Sequence, residues 1–416
     1  MTPSPSSTEA VVREARPADA DAVAAFTRDT WGERHADYIP RVFPEWAASD
    51  DPDRGTFVAT LPPAALAESD VIAGNDAVTG TDGDRTDGDT LVEGDGSGVA
   101  DSGEPEAVVG CIQGVLLTEW EAWGQGIRVD PAARGFGVGT ALSTAALDWA
   151  RDRGATVCRN MVFSWNVMGL GQSRAVGFEP ATEFRFAEPV PDARATDAAN
   201  ESGGAAAGAT DEAAGTTGAS EPRSVDGPDP NAAWAFWADS DARDHLRGLA
   251  LDPDESWACS ELTRERLATA AAEDRLIAVA GADGEFAGFA VRTRIAGRPA
   301  ANAESADDDS AESDDDETDD AEPERVAVYG VSAWRDIEAA GVLYNQIAAD
   351  AADVAADAVR VLIPETVEHV SDTGANRIPV AGEPDFVMSA DLTARGAGDG
   401  GGDGGTNGAN GTNGGL

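Results

Sequence analysis

The sequence contains no lysine: all of its 29 basic residues are arginine, and they face 77 acidic residues, for a net charge of −48. A surface this negative repels itself over a Debye length of about 8 Å at physiological salt, which shrinks to about 3 Å near 1 M salt. We therefore expect a halophile-type acidic protein that stays folded and soluble in concentrated salt. Because the acidic residues are spread over the whole chain, the charge predicts neither a specific basic partner nor a nucleic-acid partner.

Cysteine and histidine are scarce. The three cysteines, Cys111, Cys158 and Cys259, lie far apart without a CxxC pair, and the three histidines are isolated. These counts exclude a disulfide framework and disfavour a zinc or His-rich centre, so no metal is expected. Cys111 and Cys158 fall in apolar, strand-like segments, where we expect them to be inert core residues.

Long hydrophobic runs are also missing. No apolar run approaches the roughly 18 residues that a membrane-spanning helix needs. The N-terminal stretch "MTPSPSSTEA" lacks the apolar centre of a signal peptide. With so few cysteines, these absences predict a reduced, cytoplasmic protein without a membrane partner.

Shifts in composition divide the chain into segments. Patterned apolar sequence alternates with stretches rich in Asp, Gly, Thr, Ala and Asn, which bury too little apolar surface to fold. We predict a disordered N-terminus over 1–10, a first domain over 11–190 with an acidic disordered insert at about 64–106, a flexible linker over 191–230, a second domain over 231–393 with an acidic disordered insert at about 298–324, and a disordered Gly/Asn-rich tail over 394–416.

The two predicted domains share one order of elements. In each, helices precede a hairpin, then a strand, a helix and a strand, and a closing strand ends the domain, "EFRFAEP" in the first and "DFVMSADL" in the second. This order predicts an α+β (mixed α/β) fold and indicates an internal duplication.

The stretch "RVDPAARGFGVGTAL", from Arg128 to Leu142, combines the end of a strand, a glycine-rich turn and a helix start. Such a turn presents backbone N–H groups to an anion, and the helix dipole adds to the attraction. A Walker A loop requires a lysine, and a dinucleotide fingerprint requires a glycine where Thr140 stands. Neither nucleotide motif fits.

The pattern Arg134-x-x-Gly137-x-Gly139, preceded by "IRVDP", resembles the acyl-coenzyme A pyrophosphate loop of the GNAT superfamily of N-acetyltransferases. The following "TVCRNMVFSWNVMGLGQSRAVGF" supplies Asn166 and a Gly-Phe pair at the family's spacing. The resemblance covers most of residues 11–189 apart from the insert. It implies two tandem GNAT-like domains, each a mostly antiparallel twisted sheet flanked by helices.

The resemblance also implies a set of acetyl-CoA-binding groups, acetyl-CoA being the co-substrate. Main-chain groups of the strand before the loop would pair with the pantetheine arm, the amides of residues 134–140 would cradle the pyrophosphate, and an asparagine would reach the pantetheine. The implied residues are Ile127, Val129, Arg134, Gly135, Gly137, Gly139, Thr140 and Asn166. The purely structural alternatives are a glycine-rich helix cap with Arg134 paired to a local acid, and a helix-capping role for Asn166.

Direct acyl transfer needs a base that deprotonates the amine. Glu121 and Glu119 are the acidic candidates, and regular alternation along the strand would place both on the same face as Val129. Glu121 is the preferred catalytic residue because it is closer to the loop. The alternative is an ordinary surface carboxylate.

In the family a tyrosine commonly protonates the leaving thiolate, seven residues after the asparagine; here Ser173 holds that position. Serine is a far weaker acid, but a thiolate with a pKa near 8.5 can leave without a dedicated acid. The departure keeps a noncatalytic acyl-CoA-binding or regulatory protein open as the alternative to an N-acetyltransferase.

The second domain lacks the loop. Where it would stand the sequence reads "AWRDIEAAGVLY", with Asp336 and Glu338, whose charge would repel a pyrophosphate. We expect a degenerate GNAT-like domain that packs on the first. The implied acceptor is a primary amine of a small molecule or a protein, and Trp120, Trp123 and Trp165 either line its site or are buried in the core.

Overall fold

A computed structural model describes residues 10–28, 30–32, 34, 37–66, 106–195, 222–298 and 323–393. The predicted N-terminal segment, most of both inserts, most of the linker and the C-terminal tail lie outside these residues. Of the insert predicted at about 64–106, residues 64–66 are described as helical, and Ala65 is buried.

Apart from the helical residues 63–66, the first half of the chain folds into four helices and six strands among the described residues. They are α1 (Ala20–Thr27), α2 (Ile39–Ala48), α3 (Val138–Asp152), α4 (Val167–Ala175), β1 (Val11–Glu14), β2 (Arg54–Leu61), β3 (Ala107–Leu116), β4 (Glu121–Val129), β5 (Val157–Phe163) and β6 (Glu179–Ala187). Single 3₁₀ turns, Pro17–Asp19 and Pro131–Ala133, precede α1 and the loop before α3.

The second half contributes five helices and eight strands within the part of the chain that the structure describes. They are α5 (Pro230–Ala238), α6 (Asp241–Leu246), α7 (Arg264–Ala272), α8 (Ile337–Asp353), α9 (Val367–Ala375), β7 (Arg223–Ser224), β8 (Leu249–Leu251), β9 (Cys259–Glu261), β10 (Leu276–Ala280), β11 (Phe286–Arg298), β12 (Glu324–Trp334), β13 (Ala358–Pro364) and β14 (Asp385–Asp391). No helix in the described ranges is long and apolar enough to cross a membrane.

Twelve strands form one sheet in the order β1-β2-β3-β4-β5-β14-β6-β13-β12-β11-β10-β7, and β8 pairs with β9 apart from it. Neighbouring strands are antiparallel except for β4 with β5 and β12 with β13. The mostly antiparallel mixed α/β fold expected from the sequence is therefore confirmed.

The two closing strands are exchanged between the halves. β14, from the end of the second half, lies between β5 and β6 of the first half and is antiparallel to both. β6, in turn, pairs with β13 of the second half. β13 is the counterpart of β5, and β14 is the counterpart of β6. Replacing each strand by its counterpart therefore gives the order β5-β14-β6-β13 again, read from the other end. The domain limits drawn from composition remain predictions, because the sheet runs through both halves without a break.

The sheet has two faces in the first half. The front face is covered by α3 and α4, and the back face by α1, α2 and residues 249–262 of the second half. On the front face the Trp149 ring of α3 lies across Gly55 of β2 and Gly114 of β3, within 2.9 Å of where a Cβ would stand at either glycine. Side chains there would push α3 off the sheet, so these glycines set its distance.

Local expectations differ from the structure at two places. The prolines of "RHADYIPRVFPEWAA" predict an interrupted helix, yet α2 is continuous through Pro44. Burial of Ile39 and Phe43 against the sheet offsets the one hydrogen bond that Pro44 cannot donate. "SELTRERLATAAAE" predicts one helix, but its first residues belong to β9 and α7 begins at Arg264 after the Thr263 cap.

The strand exchange predicts that damage to β14 spreads into the first half. Val387 of β14 is 1 % exposed and Val279 of β10 is fully buried. An aspartate at either position buries an uncompensated charge and should cost roughly 3–5 kcal/mol. In hydrogen-exchange mass spectrometry, Val387→Asp should accelerate amide exchange in β5 and β6, whereas Val279→Asp should accelerate it in β10–β12. Protected β5 and β6 amides in Val387→Asp would contradict the exchange.

Candidate functional site

The strands β4 and β5 diverge. They pair in parallel only from Glu121–Val157 to Trp123–Arg159. Beyond these pairs β4 runs on over residues 124–129 and β5 over residues 160–163 without pairing to each other. The result is a V-shaped opening through the sheet, bounded by two strand edges whose polar groups are unpaired across it.

A bulge at Gly126 reverses the alternation of side chains along β4. The pairing with β3 shifts between Cys111 and Gln113, and Gly126 has φ +65°. A Cβ there would stand 2.7 Å from the Trp46 ring, so only glycine fits. After the bulge Ile127 and Val129 pack on the front face, towards α3.

The glycine loop connects the front arm of the V to α3. Gly135 (φ +87°) and Gly137 (φ +74°) both adopt left-handed backbone, and nothing stands within 4 Å of a Cβ at either position. They are glycines because of their conformation, not because of crowding. Arg134 is exposed and has no hydrogen-bond or ion-pair partner among the described residues, so the alternative of a local ion pair finds no support.

The N-terminus of α3 is bare. Its cap residue, Gly137, offers no side-chain acceptor, and the first helical hydrogen bond runs from Ala141 N to Gly137 O. The amides of residues 138–140 therefore lack an acceptor within the helix, at the positive end of its dipole. A groove of about 620 Å³ opens beside them, lined by Phe136, Thr140 and the small side chains of the first turns of α3.

Polar groups from β5 and α4 meet at the apex of the V. Asn160, one residue beyond the last β4–β5 pair, donates from Nδ2 to Ser173 Oγ of α4 at 3.1 Å. The Asn160 Oδ1 atom is buried without a hydrogen-bond partner. Asn166 caps α4, its Oδ1 accepting from Gly169 N at 2.9 Å, and its Nδ2 has no partner among the described residues. Asn166 therefore caps α4, and its predicted contact with pantetheine stays a prediction.

The structure separates Glu121 from the loop. The expectation that it shares a face with Val129 is wrong, because the bulge at Gly126 turns it to the back face. Its carboxylate accepts from Arg159 Nη1 at 2.5 Å and from the Glu261 amide at 3.1 Å, and the residue is 1 % exposed. A base must contact its substrate; Glu121 instead joins the two halves.

The remaining sequence candidates are dispersed. Glu119 and Trp120 are exposed in the turn before β4, and Trp123 is buried against the second half. Of the three tryptophans only Trp165 lies at the open end of the V, where it stacks on Phe163 with ring centroids 5.3 Å apart.

An aromatic cluster covers the V on the back face. Trp31, between α1 and α2, contacts Trp165 and Phe163 edge-on, at centroid distances of 5.2 and 6.3 Å. The Arg128 guanidinium of β4 lies 4.5 Å above the Trp31 ring and pairs with Asp37 at 2.6 Å. The cluster therefore bridges the two arms of the V.

Asp385 lies beside this cluster and was not among the sequence candidates. It begins β14 and pairs in register with Phe163 of β5 and Phe184 of β6. Burial raises the pKa of its carboxyl to about 7. No local signal could have found it, because its position depends on an exchange between segments more than 200 residues apart.

The corresponding place in the second half is closed. The α8 N-terminus is capped by Asp336, whose Oδ1 accepts from Ala339 N at 2.9 Å. β12 and β13 stay tied beyond their paired residues, where Ser332 Oγ donates to Leu362 O at 2.8 Å. An anionic side chain thus occupies the position that the first half leaves bare.

Other reactive groups are inert or dispersed. Burial raises the pKa of Cys111, Cys158 and Cys259 to about 12, which leaves their thiols protonated at neutral pH. Within the described ranges no three His, Cys, Asp or Glu side chains are grouped as metal ligands.

The buried Asp385 predicts a pH-dependent stability. Its folded-state pKa of about 7 lies above the ordinary value of 3.8, so the folded protein binds the extra proton and stability falls as pH rises from about 4 to 7, by roughly 1.4 kcal/mol per unit. Asp385→Asn removes this loss. Its melting temperature should exceed that of the wild type by more at pH 8 than at pH 5.

The matched control is Glu285→Gln, an equal change of charge at an exposed side chain in the turn between β10 and β11. Its melting temperature should follow the wild type across the same range. If the curves of Asp385→Asn and the wild type ran parallel, Asp385 would not titrate in this range.

A comparison with known protein families matches part of the first half. Residues 78–167 match the family model described as "Acetyltransferase (GNAT) family". The matched segment includes β3, β4, the loop, α3 and β5. No curated protein matches the sequence.

Solved structures resemble the chain at low identity. A GCN5-related N-acetyltransferase from Sphaerobacter thermophilus is 13 % identical, with 92 % of this chain and 96 % of that chain covered at a TM-score of 0.47. A tandem GNAT protein from the clavulanic acid biosynthesis pathway is 13 % identical, with 92 % and 99 % covered at 0.42. A putative acetyltransferase from Salmonella typhimurium with its cofactor acetyl-CoA is 16 % identical, with 42 % and 83 % covered at 0.26.

Proposed function

We propose that this protein is an acetyl-CoA-dependent N-acetyltransferase in which a primary amine attacks the thioester directly. The first half binds the donor, and the second half is a degenerate GNAT-like unit without a donor site. The observation that carries the proposal is the bare, glycine-lined N-terminus of α3 at the front of the opening between β4 and β5.

The loop fits a pyrophosphate. Free amides at residues 138–140 and the positive end of the α3 dipole attract an anion, and the unpaired Arg134 guanidinium can bind phosphate oxygens in a bidentate manner. Gly135, Gly137 and the exposed Thr140 hydroxyl keep the approach open. In a chain of net charge −48, an unpaired arginine beside free amides makes this part of the surface locally positive, which favours a polyanionic ligand.

The V fits the pantetheine arm. The β4 edge near Ile127 and Val129 is unpaired on its β5 side, so an extended arm with two amides can add there in the manner of a strand. Asn160 Oδ1 is buried without a donor, and the Asn166 Nδ2 donor is also unused. An amide-bearing ligand would satisfy both, which removes the cost of a buried unsatisfied acceptor.

Acetyl-CoA supplies the activated acetyl group as a thioester. The chain binds the donor from the front face, and the opening leaves the back face for the amine. Ser173 Oγ accepts from Asn160, and its own proton has no acceptor among the described residues. That proton can be donated in a hydrogen bond to the leaving sulfur. Serine then stabilises a thiolate instead of protonating it, which a leaving group with a pKa near 8.5 tolerates.

Gly137→Ala tests the donor site. A Cβ finds open space there, but φ +74° costs a non-glycine residue about 1–2 kcal/mol, so the loop should shift and turn its amides away. We expect the affinity for acetyl-CoA, measured by calorimetry in molar salt, to fall about tenfold.

The control is Gly171→Ala, the same change in neighbouring α4, where nothing lies within 4 Å and φ is not left-handed. It should bind acetyl-CoA as the wild type does. Absence of binding by the wild type, or equal affinity of both variants and the wild type, would contradict the proposal.

A noncatalytic acyl-CoA-binding or regulatory protein is the second candidate, and Ser173 is the observation that favours it. Rapid mixing of the acetyl-CoA complex with a primary amine separates the two functions. An N-acetyltransferase should release one thiol per site in the first turnover and continue. Tight binding without thiol release from any amine tested would favour the second candidate.

A further inference from the structure

The strand exchange brings one carboxylate of the second half into the site of the first. Asp385 opens β14, and its register partners are Phe163 of β5 and Phe184 of β6. Residues paired in register on antiparallel strands point to the same face. Asp385 therefore lies on the back face, next to the aromatic cluster that covers the V.

Asp385 differs from the other buried carboxylates of the described residues. The carboxylates that are less than one-tenth exposed elsewhere each pair with an arginine. These pairs are Asp19 with Arg13, Glu121 with Arg159, Asp252 with Arg266 and Glu255 with Arg54. Asp385, at 9 % exposure, has neither an ion pair nor a hydrogen bond from a described side chain. A buried carboxylate without a partner is costly, which points to a ligand that carries the partner.

Two neighbouring charges act on the Asp385 carboxylate in opposite directions. Arg360 of β13 attracts its negative charge, and Glu383, just before β14, repels it. Arg360 is itself held over the Phe186 and Trp257 rings, and Cys259 of β9 lies within electrostatic reach. The dominant effect is burial, which sets the carboxyl pKa at about 7. Half of the carboxyls are then ionised at neutral pH, the condition that suits a general base.

The surroundings fit an organic ammonium. Trp31, Phe163 and Trp165 form one cluster, and its rings already hold organic cations, the Arg128 guanidinium over Trp31 and that of Arg34 over Trp165 at 5.0 Å. Arg34 also pairs with Glu383 at 3.6 Å, so the segment between α1 and α2 contacts the start of β14. An amine that carries an aromatic or aliphatic group can place that group on the rings and its nitrogen at the carboxylate.

We propose that Asp385, supplied by the second half, is the general base of the first half and deprotonates an ammonium acceptor bound against the aromatic cluster. This rests on the proposed function. A proton passes from the ammonium to the Asp385 carboxylate, directly or through one water. The freed amine lone pair then forms the C–N bond as the C–S bond breaks, and the sulfur keeps the bonding electrons. The nitrogen gives up its second proton to the leaving thiolate, directly or through water, which leaves the neutral amide and the coenzyme A thiol. Water takes the proton from Asp385 before the next turnover.

Two nucleophiles test the assignment. 2-Phenylethylamine is an ammonium at neutral pH and needs a base, whereas hydroxylamine is uncharged and does not. With acetyl-CoA as donor, Asp385→Asn should lose roughly 100-fold or more in kcat/KM for 2-phenylethylamine and keep wild-type transfer to hydroxylamine above the uncatalysed background. The wild-type rate with 2-phenylethylamine should rise with a midpoint near pH 7, and the variant should lose that inflection.

Controls separate the base from fold and donor binding. Glu285→Gln, an equal change of charge on an exposed side chain in the turn between β10 and β11, should keep the wild-type pH profile, and acetyl-CoA affinity by calorimetry should be unchanged in Asp385→Asn. No transfer to hydroxylamine by the wild type would overturn the proposed function.

The base assignment alone is overturned by any of three results. The first is that Asp385→Asn acetylates 2-phenylethylamine with the wild-type profile. The second is that the variant loses both nucleophiles equally. The third concerns a second ammonium, spermidine, tested beside 2-phenylethylamine. If the wild type acetylates hydroxylamine but neither ammonium at any pH, a base would have no ammonium to deprotonate.

Discussion

The exchange of β6 and β14 is the constraint on which the rest of the structure depends. Each closing strand pairs with the parallel pair of the other half, β14 with β5 and β6 with β13, so the order β5-β14-β6-β13 has no free edge between the halves. Unpaired edges invite aggregation, and here each half covers the other's. Buried contacts beside the exchanged strands also join the halves. Glu121 of the first half accepts a hydrogen bond from the Glu261 amide of the second, and Arg54 of the first pairs with Glu255 of the second. The stability of each half therefore depends on the folding of the other.

A second constraint is local. At Gly126 a single extra residue on β4 turns Ile127 and Val129 to the front, while Gln125 and Arg128 stay on the back. From Glu121 to Trp123 β4 pairs with β5, and from Gly124 to Val129 it does not. The two faces of the opening therefore carry different groups. Ile127, Val129 and the glycine loop lie at the front face, and the aromatic cluster and Asp385 lie at the back face.

The sequence was sufficient for the parts of the site that depend on neighbours in the chain. The loop from Arg134 to Gly139 could be predicted because left-handed glycines and a helix start within one short segment, and the absence of lysine excluded a nucleotide loop. The role of Glu121 could not, since regular alternation fails wherever a bulge intervenes. The isolated Gly126 within a strand was the available signal. Asp385 was beyond any local pattern: its neighbours Phe163 and Phe184 come from the other half of the chain, and only the completed sheet brings them together.

The two halves differ at the start of one helix. In each half this helix follows the first strand of the parallel pair, α3 after β4 and α8 after β12. In the first half the cap is Gly137 and the amides of α3 stay free; in the second, Asp336 accepts the Ala339 amide and Arg335 holds the carboxylate at 3.0 Å. An anion bound at α8 would have to displace a charge that is already there. The second half contributes β14 to the sheet and, with it, Asp385, the one buried carboxylate of the described residues without an ion pair to an arginine.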